Sequence, residues 1–230
     1  NVVSNNLNSN NSNIEHQFKI SKVHYYSGVD AENNKTTYQN PEWNLNIYQY
    51  TDIAIYVERI NQNSQKNYIK DLYINNIKFD YSGIGNKELH YLSPMNFGKT
   101  EFNEENKINN KLEYSIVNSQ NKENDITYNI PIYFEDCSNP ITLKYLNKDI
   151  VKNYTVENDS ILIHDGRLLR DAEISLQELE CKVNIDINIV TKDDVLHSVT
   201  VPLNIPTKNN KKQIYDENIE LINKKVNIEF

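Results

Sequence analysis

The sequence contains no run of about 18 apolar residues, the length a helix needs to cross a bilayer. Only 5 Gly and 6 Pro occur in 230 residues, too few for a collagen-like or a Gly/Pro-rich disordered chain. Only 2 Cys are present, which excludes a dense disulfide scaffold and a zinc site with four thiolates. The net charge of −8 argues against sequence-independent binding to nucleic acid, which requires clustered Lys and Arg.

Asparagine is the most abundant residue, with 39 copies. Asn, Ile, Lys and Tyr, which have A/T-rich codons, are all frequent, whereas Ala, Arg and Gly are scarce. This combination favours codon bias over low complexity as the source of most Asn. Residues 1–13 differ, because they consist mostly of Asn and Ser and carry no charged or aromatic side chain. We expect a flexible linker there.

Apolar residues recur with a period of two along most of the remaining chain, which is typical of half-buried strands. After Phe18 and Ile20 the phase shifts by one residue before Val23 and Tyr25, which predicts a bulge inside a strand. Residues 183–189 and 199–205 alternate most regularly, and a polar turn separates them. They predict an antiparallel hairpin.

Roughly a dozen such segments predict an all-β protein with an antiparallel β-sandwich architecture. The length suits two stacked immunoglobulin-like sandwiches, at residues 14–135 and 136–230, and a single extended sandwich is the alternative. Short helices are expected only within residues 100–111 and 171–180. The pattern of residues 214–230 fits either a strand or a helix.

Three tyrosines share the polar side of one predicted strand. Tyr48, Tyr50 and Tyr56 alternate with apolar residues and are therefore expected to face solvent, where they could bind a sugar or a protein partner. Cross-strand aromatic pairing, or cover by a second layer, is the alternative.

The sequence predicts no catalytic residue, metal site or cofactor. The five His residues show no metal-binding spacing, and no nucleophile or phosphate-binding motif occurs. Cys137 and Cys181 could form a disulfide, but two unpaired thiols are an open alternative because sequence spacing does not establish contact.

Two segments, residues 50–60 (YTDIAIYVERI) and 136–148 (DCSNPITLKYLNK), resemble uncharacterised, membrane-anchored proteins of low-GC Gram-positive bacteria. The resemblance implies a membrane helix upstream of residue 1 and a domain outside the cytoplasm. It implies no activity and no functional residues.

The favoured hypothesis is a non-catalytic binding or structural module tethered at the cell envelope, with a glycan or protein partner and no nucleic acid. One alternative is a wall-acting hydrolase that uses dispersed carboxylates. Another is a structural protein of a phage or a surface appendage.

Overall fold

The computed structural model describes residues 15–35, 42–61, 64, 68–80, 82–114, 116–117, 132–133, 140–157 and 163–230. Most regular structure in these residues is β-strand, in two antiparallel sheets. The predicted all-β class and sandwich architecture are therefore confirmed. The linker predicted at residues 1–13 lies outside the described residues.

Sheet A has five strands: β1 Phe18–Lys35, β2 Glu42–Arg59, β4 Asn86–Tyr91, β8 Ile141–Glu157 and β11 Ile219–Glu229. Their spatial order is β11-β1-β2-β8-β4.

Sheet B has four strands: β3 Ile69–Asp80, β5 Lys111–Tyr114, β9 Lys182–Thr191 and β10 Leu196–Asn204. Their spatial order is β10-β9-β3-β5. Two short strands, β6 Ile116–Val117 and β7 Ile132–Tyr133, form a separate parallel pair.

The main core lies between the two sheets. Ile53 and Leu143 of sheet A belong to the same buried cluster as Leu72 and Ile185 of sheet B. Each strand alternates side chains between two faces, so the period-two pattern read from the sequence supplies one apolar face per strand to this core. Burial of that apolar surface is the main driving force for the packing of the two sheets.

A polar layer divides the inner face of β2 into two apolar parts. Leu45 and Ile47 belong to a second buried cluster, whereas Ile53 belongs to the main core. Gln49 and Thr51 lie between these parts and are fully buried. The Thr51 hydroxyl is 2.6 Å from that of Ser27 on β1, which compensates for its burial.

The predicted bulge and hairpin are both confirmed. The register of β1 shifts between Ile20 and Lys22 against each of its neighbours. Strands β9 and β10 pair without interruption from Val190 opposite Leu196 to Lys182 opposite Asn204.

The division predicted at residues 135 and 136 does not separate the strands. In sheet A, β2 pairs with β8 over most of its length, and β1 pairs with β11. In sheet B, β3 pairs with β9. Because both large sheets combine strands from both sides of the predicted boundary, the described strands other than β6 and β7 form one pair of sheets, as in the single extended sandwich. Alternation determines which face of a strand is buried, but it does not determine the neighbouring strand.

Helical structure in the described residues is short. It comprises helix α1 Arg167–Asp171 and single 3₁₀ turns at Pro94–Asn96, Glu104–Asn106 and Leu176–Leu179. Of the two segments expected to form helices, each contains one of these turns, and the C-terminal segment forms strand β11. No helix in the described part of the chain has the length and apolar character of a membrane span.

Candidate functional site

The three predicted tyrosines lie on the outer face of sheet A, but only one reaches solvent to an appreciable extent. Tyr48 and Tyr50 are 7% and 0% exposed, so the prediction that they face solvent is wrong for both. Burial raises the pKa of each phenol. Tyr56 is half-buried, and the Lys22 ammonium lies 4.1 Å from its ring centroid. The tyrosines therefore form no exposed platform.

Residues 92–107, which we call the cover segment, lie over this face. The Tyr48 hydroxyl donates to the Thr100 carbonyl at 3.4 Å. The ring of Phe102 meets the ring of Tyr48 edge-on at 5.4 Å, and Phe97 packs against Tyr26 at 6.4 Å. Cover by a second layer, the alternative left open by the sequence, is therefore the arrangement found.

An ion pair lies beneath the cover segment. Asp52 on β2 and Lys144 on β8 face each other in the register, and the Lys144 ammonium is 2.6 Å from an Asp52 carboxylate oxygen. The main-chain N–H of Gly98 donates to the other Asp52 oxygen at 2.6 Å, and Lys144 donates to the Lys99 carbonyl at 2.8 Å. Both charges are thus bound to each other and to the backbone of the cover segment.

Desolvation is the largest electrostatic effect on this pair. Burial raises the pKa of Asp52, against the opposing effects of Lys144 and the Gly98 N–H. Burial also lowers the pKa of Lys144, against the attraction of Asp52. Both side chains are almost fully excluded from solvent, so a substrate has no access to them without displacement of the cover segment. The pair is placed to anchor that segment rather than to exchange protons with a ligand.

Next to this pair, Glu88, His90 and Glu104 form a cluster of potential metal ligands, with ligand atoms within 4.8 Å of one another. The ring of His90 is held at both nitrogens, by Glu88 at 3.0 Å and by the Asn103 carbonyl at 3.1 Å. Two ammonium groups already contact the carboxylates: Lys107 lies 2.7 Å from Glu88, and Lys148 pairs with Glu104.

The charges in this cluster balance without a metal ion, because two lysines face two glutamates. A divalent cation would have to displace both ammonium groups. Burial opposes the ionisation of Glu88, but the hydrogen bonds of Lys107 and His90 and the charge of Lys148 outweigh it and lower the pKa of Glu88. A general acid requires the opposite shift. The cluster is best interpreted as an ion-pair network that joins the cover segment to β4 and β8.

A cavity of about 550 Å³ opens where β3, β9, β10 and β11 meet. Asp80 and Glu180 contribute carboxylates to its wall, together with Lys182, Lys208 and Lys224. The carboxylates are both exposed.

Cys181 also borders this cavity, as a free thiol that is 7% exposed. Burial raises the pKa of the thiol, and its interaction with Tyr145 does not cancel this effect, so the thiolate that a nucleophile requires is disfavoured. Cys137, the other half of the predicted disulfide, lies outside the described residues.

Strand β10 forms one edge of sheet B and pairs only with β9 among the described strands. Its sequence, LHSVTVPLN, contains no Lys, Arg, Asp or Glu. Leu196 is 49% exposed, and Ser198 and Thr200 are exposed as well. An uncharged edge strand without a bulge is a potential template for another strand.

Sequence reasoning missed these features for different reasons. Asp52 lies on the polar side of β2 that Tyr48 and Tyr50 mark in the sequence, but the period-two pattern contains no information about what covers that face. The sequence did contain one signal of the cover segment: two aromatic residues in a loop, Phe97 and Phe102, indicate that the loop packs on another surface. For β10 the signal was the absence of charge in one segment of a chain that is 24% charged.

Comparisons with known proteins identify no relative. No family model matches the chain, and no curated protein or solved structure shows significant similarity to it.

Proposed function

We propose that this protein is a non-catalytic binding or structural module that acts outside the cytoplasm, at the envelope of a Gram-positive cell. The resemblance of residues 50–60 and 136–148 to membrane-anchored envelope proteins supports the location. A cell-wall glycan or an envelope protein is the partner that such a location offers.

One observation carries the non-catalytic part of the proposal: the buried charged side chains at the cover segment are paired with one another. Asp52 is paired with Lys144 beneath the cover segment, and Glu88 is held by Lys107 and His90. Acid–base catalysis requires groups that can reach a substrate and change protonation state. These groups hold the outer layer of the protein in place instead.

Binding to purified Gram-positive cell walls tests the proposal directly. The purified protein is incubated with washed walls, the walls are sedimented, and the supernatant is assayed for released reducing ends and peptides. We expect protein in the pellet and no release above a heat-denatured control. Release that increases with protein concentration would contradict a non-catalytic role, and absence of protein from the pellet would contradict wall binding.

A wall hydrolase is the second candidate, because Asp80 and Glu180 share one cavity. Both side chains are exposed, whereas the catalytic acid of a glycosidase is usually held in a desolvated site. If wall fragments are released, the variant D80N/E180Q distinguishes a hydrolase from a contaminant. Loss of release in this variant, with release retained in the matched surface variant E105Q/D216N, would assign hydrolysis to the cavity.

A further inference from the structure

The main-chain groups of β10 alternate between its two sides, and two hydrogen bonds identify which side is open. Ile205 N–H donates to the Cys181 carbonyl at 2.9 Å, and Thr191 N–H donates to the Val195 carbonyl at 3.0 Å. Residues 195 and 205 therefore direct their polar groups toward β9. Because β10 continues between them without a register shift, Leu196, Ser198 and Thr200 direct theirs away from β9.

Those outward groups have no partner in the part of the chain that the structure describes. The side chains of Ser198 and Thr200 do not fill the role, since their hydroxyls donate to Asn188 at 2.7 Å and Asp186 at 2.6 Å on β9. With respect to the described residues, the edge therefore presents three successive outward residues, each with a free N–H and a free carbonyl.

Other edge strands in the described sheets are protected by familiar devices. Strand β11 carries Lys224 and Lys225 and has two register shifts against β1. The end of the cover segment lies along β4, where Lys107 bridges to His90 and the next residue, Ile108, donates its N–H to the Leu89 carbonyl at 2.8 Å. Strand β5 has only four residues, and two of them are charged. Strand β10 has nine residues and no charge.

Pro202 is the one residue in β10 of a kind that discourages edge pairing. Its position limits the run of outward residues with unpaired main-chain groups. It belongs to the outward set, so its missing N–H and its ring interrupt the edge but not the ladder with β9. On the other side, Asp194 N–H donates within the turn, to the Thr191 carbonyl at 2.9 Å. The run from 196 to 200 is therefore centred on Ser198.

We infer that β10 pairs with β10 of a second copy of this chain, antiparallel and about a two-fold axis at Ser198. Such an axis requires a run that is symmetric about its centre, and the turn and Pro202 bound the run in that way. Ser198 then faces its own copy, and Leu196 faces Thr200. The three outward residues of each copy contribute about six main-chain hydrogen bonds, and no like charges oppose each other at the junction.

This pairing deepens the proposed function, because it identifies a second copy as one partner of a module that acts through its surface. It joins two copies of sheet B into one continuous sheet. The buried area is small, so we expect a dissociation constant on the order of 0.1–1 mM in free solution.

Sedimentation velocity over a concentration series to about 1 mM tests the inference, since weak association is resolved in that range. We expect a reversible monomer–dimer equilibrium. S198P removes the outward N–H, and S198K places two lysines opposite each other, so each should raise the dissociation constant by about tenfold or more. Both variants also lose the hydroxyl bond to Asn188, a loss that the S198A control shares. S198A retains the N–H and should dimerise like the original protein, as should N227K, which adds the same charge on β11. Far-UV circular dichroism checks that each variant is folded.

A protein that remains monomeric across the series would overturn the inference, and so would folded S198P and S198K variants that dimerise normally. Mass is measured without cell walls, so a monomeric protein that still sediments with walls would remove the dimer and leave the proposed function intact. A protein that dimerises but does not sediment with walls would contradict wall binding and leave the self-pairing of β10 intact.

Discussion

Asp52 and Lys144 face each other across β2 and β8 with 2.6 Å between carboxylate and ammonium, and their side chains are only 0% and 2% exposed. Charges on the outer face of a sheet are normally hydrated. Here both are desolvated, and each also contacts the backbone of the cover segment, at Gly98 and Lys99. Such a pair contributes little net stability, but it binds the backbone of the cover segment to sheet A at Gly98 and Lys99.

Removal of one member of this pair should lower the stability of the folded protein. In K144M the Asp52 carboxylate remains buried without its counter-ion, so we expect a loss of about 3–5 kcal/mol in the free energy of unfolding at pH 7, measured by urea denaturation. The pKa of Asp52 is already raised from its ordinary value of 3.8 by burial. The folded state therefore takes up a proton at higher pH than the unfolded state, and the loss in K144M should shrink as the pH is lowered toward 4.

The double variant D52N/K144M provides the control. The amide that replaces the Asp52 carboxylate is neutral, but its oxygen can still accept the Gly98 N–H, so the double variant should be more stable than K144M alone. The coupling between the two substitutions should be about 1–3 kcal/mol. Additive losses from D52N and K144M would contradict the ion-pair interpretation.

Gly28 faces Tyr50 across β1 and β2, and its missing side chain leaves room for the Tyr50 ring. A Cβ at position 28 would lie 2.3 Å from the Tyr50 hydroxyl and 2.5 Å from the adjacent ring carbon. Because Tyr50 is fully buried and has little room to move, G28A should destabilise the protein by about 1–3 kcal/mol.

The matched test is G28A combined with Y50L, which removes the distal part of the ring. The pair should lose less stability than the sum of the two single losses, as judged by urea unfolding. If the losses add, the contact between position 28 and Tyr50 is not the cause.

His197 on β10 should make the protein sensitive to mild acid. It is 5% exposed and contacts the ring of Phe18 at 5.3 Å. Burial lowers the pKa of His197 below its ordinary 6.5, while Asp193 raises it and His16 lowers it further. Well above pH 6.5 the imidazole is neutral in both the folded and the unfolded state. As the pH falls from 6.5 through the lower pKa that His197 has in the folded state, the unfolded state binds the proton first. The folded state therefore loses stability.

Urea unfolding at pH 7.5 and pH 5 measures this loss. The H197F variant keeps an aromatic ring and cannot be protonated, so its stability should fall less between the two pH values than that of the original protein. An equal fall in both proteins would show that other groups cause the acid sensitivity.

The sequence was most informative where one local rule decides the outcome. Alternation predicted the hairpin of β9 and β10, and the phase shift after Ile20 predicted the bulge, because side chains in a strand have a fixed period. The pairing of β2 with β8 joins residues about a hundred positions apart, and no local pattern encodes that choice. The division at residues 135 and 136 followed from length and could not foresee it.

At the candidate sites, too, local sequence patterns do not predict contacts between distant segments. Tyr48 and Tyr50 were placed on the correct face of β2, yet their burial depends on the cover segment, which follows β4 and crosses that face. At the edge formed by β10, the main-chain groups of Ser198 and Thr200 point away from β9 because of the hairpin register, which side-chain alternation does not determine. Whether that edge is open depends on the position of every other strand.

Disulfide trapping at β10 tests the central claim, self-pairing centred on Ser198, most directly. In a C137S background, S198C should form covalent dimers under mild oxidation, because opposite residues in such a pair have Cα atoms about 5.5 Å apart. L196C mixed with T200C should also cross-link, whereas L196C alone should not, since the two copies of residue 196 are displaced along the strands by about four residues, or ~13 Å. If S198C forms no more dimer than N227C, or L196C alone cross-links as well as the mixture, the pairing is contradicted.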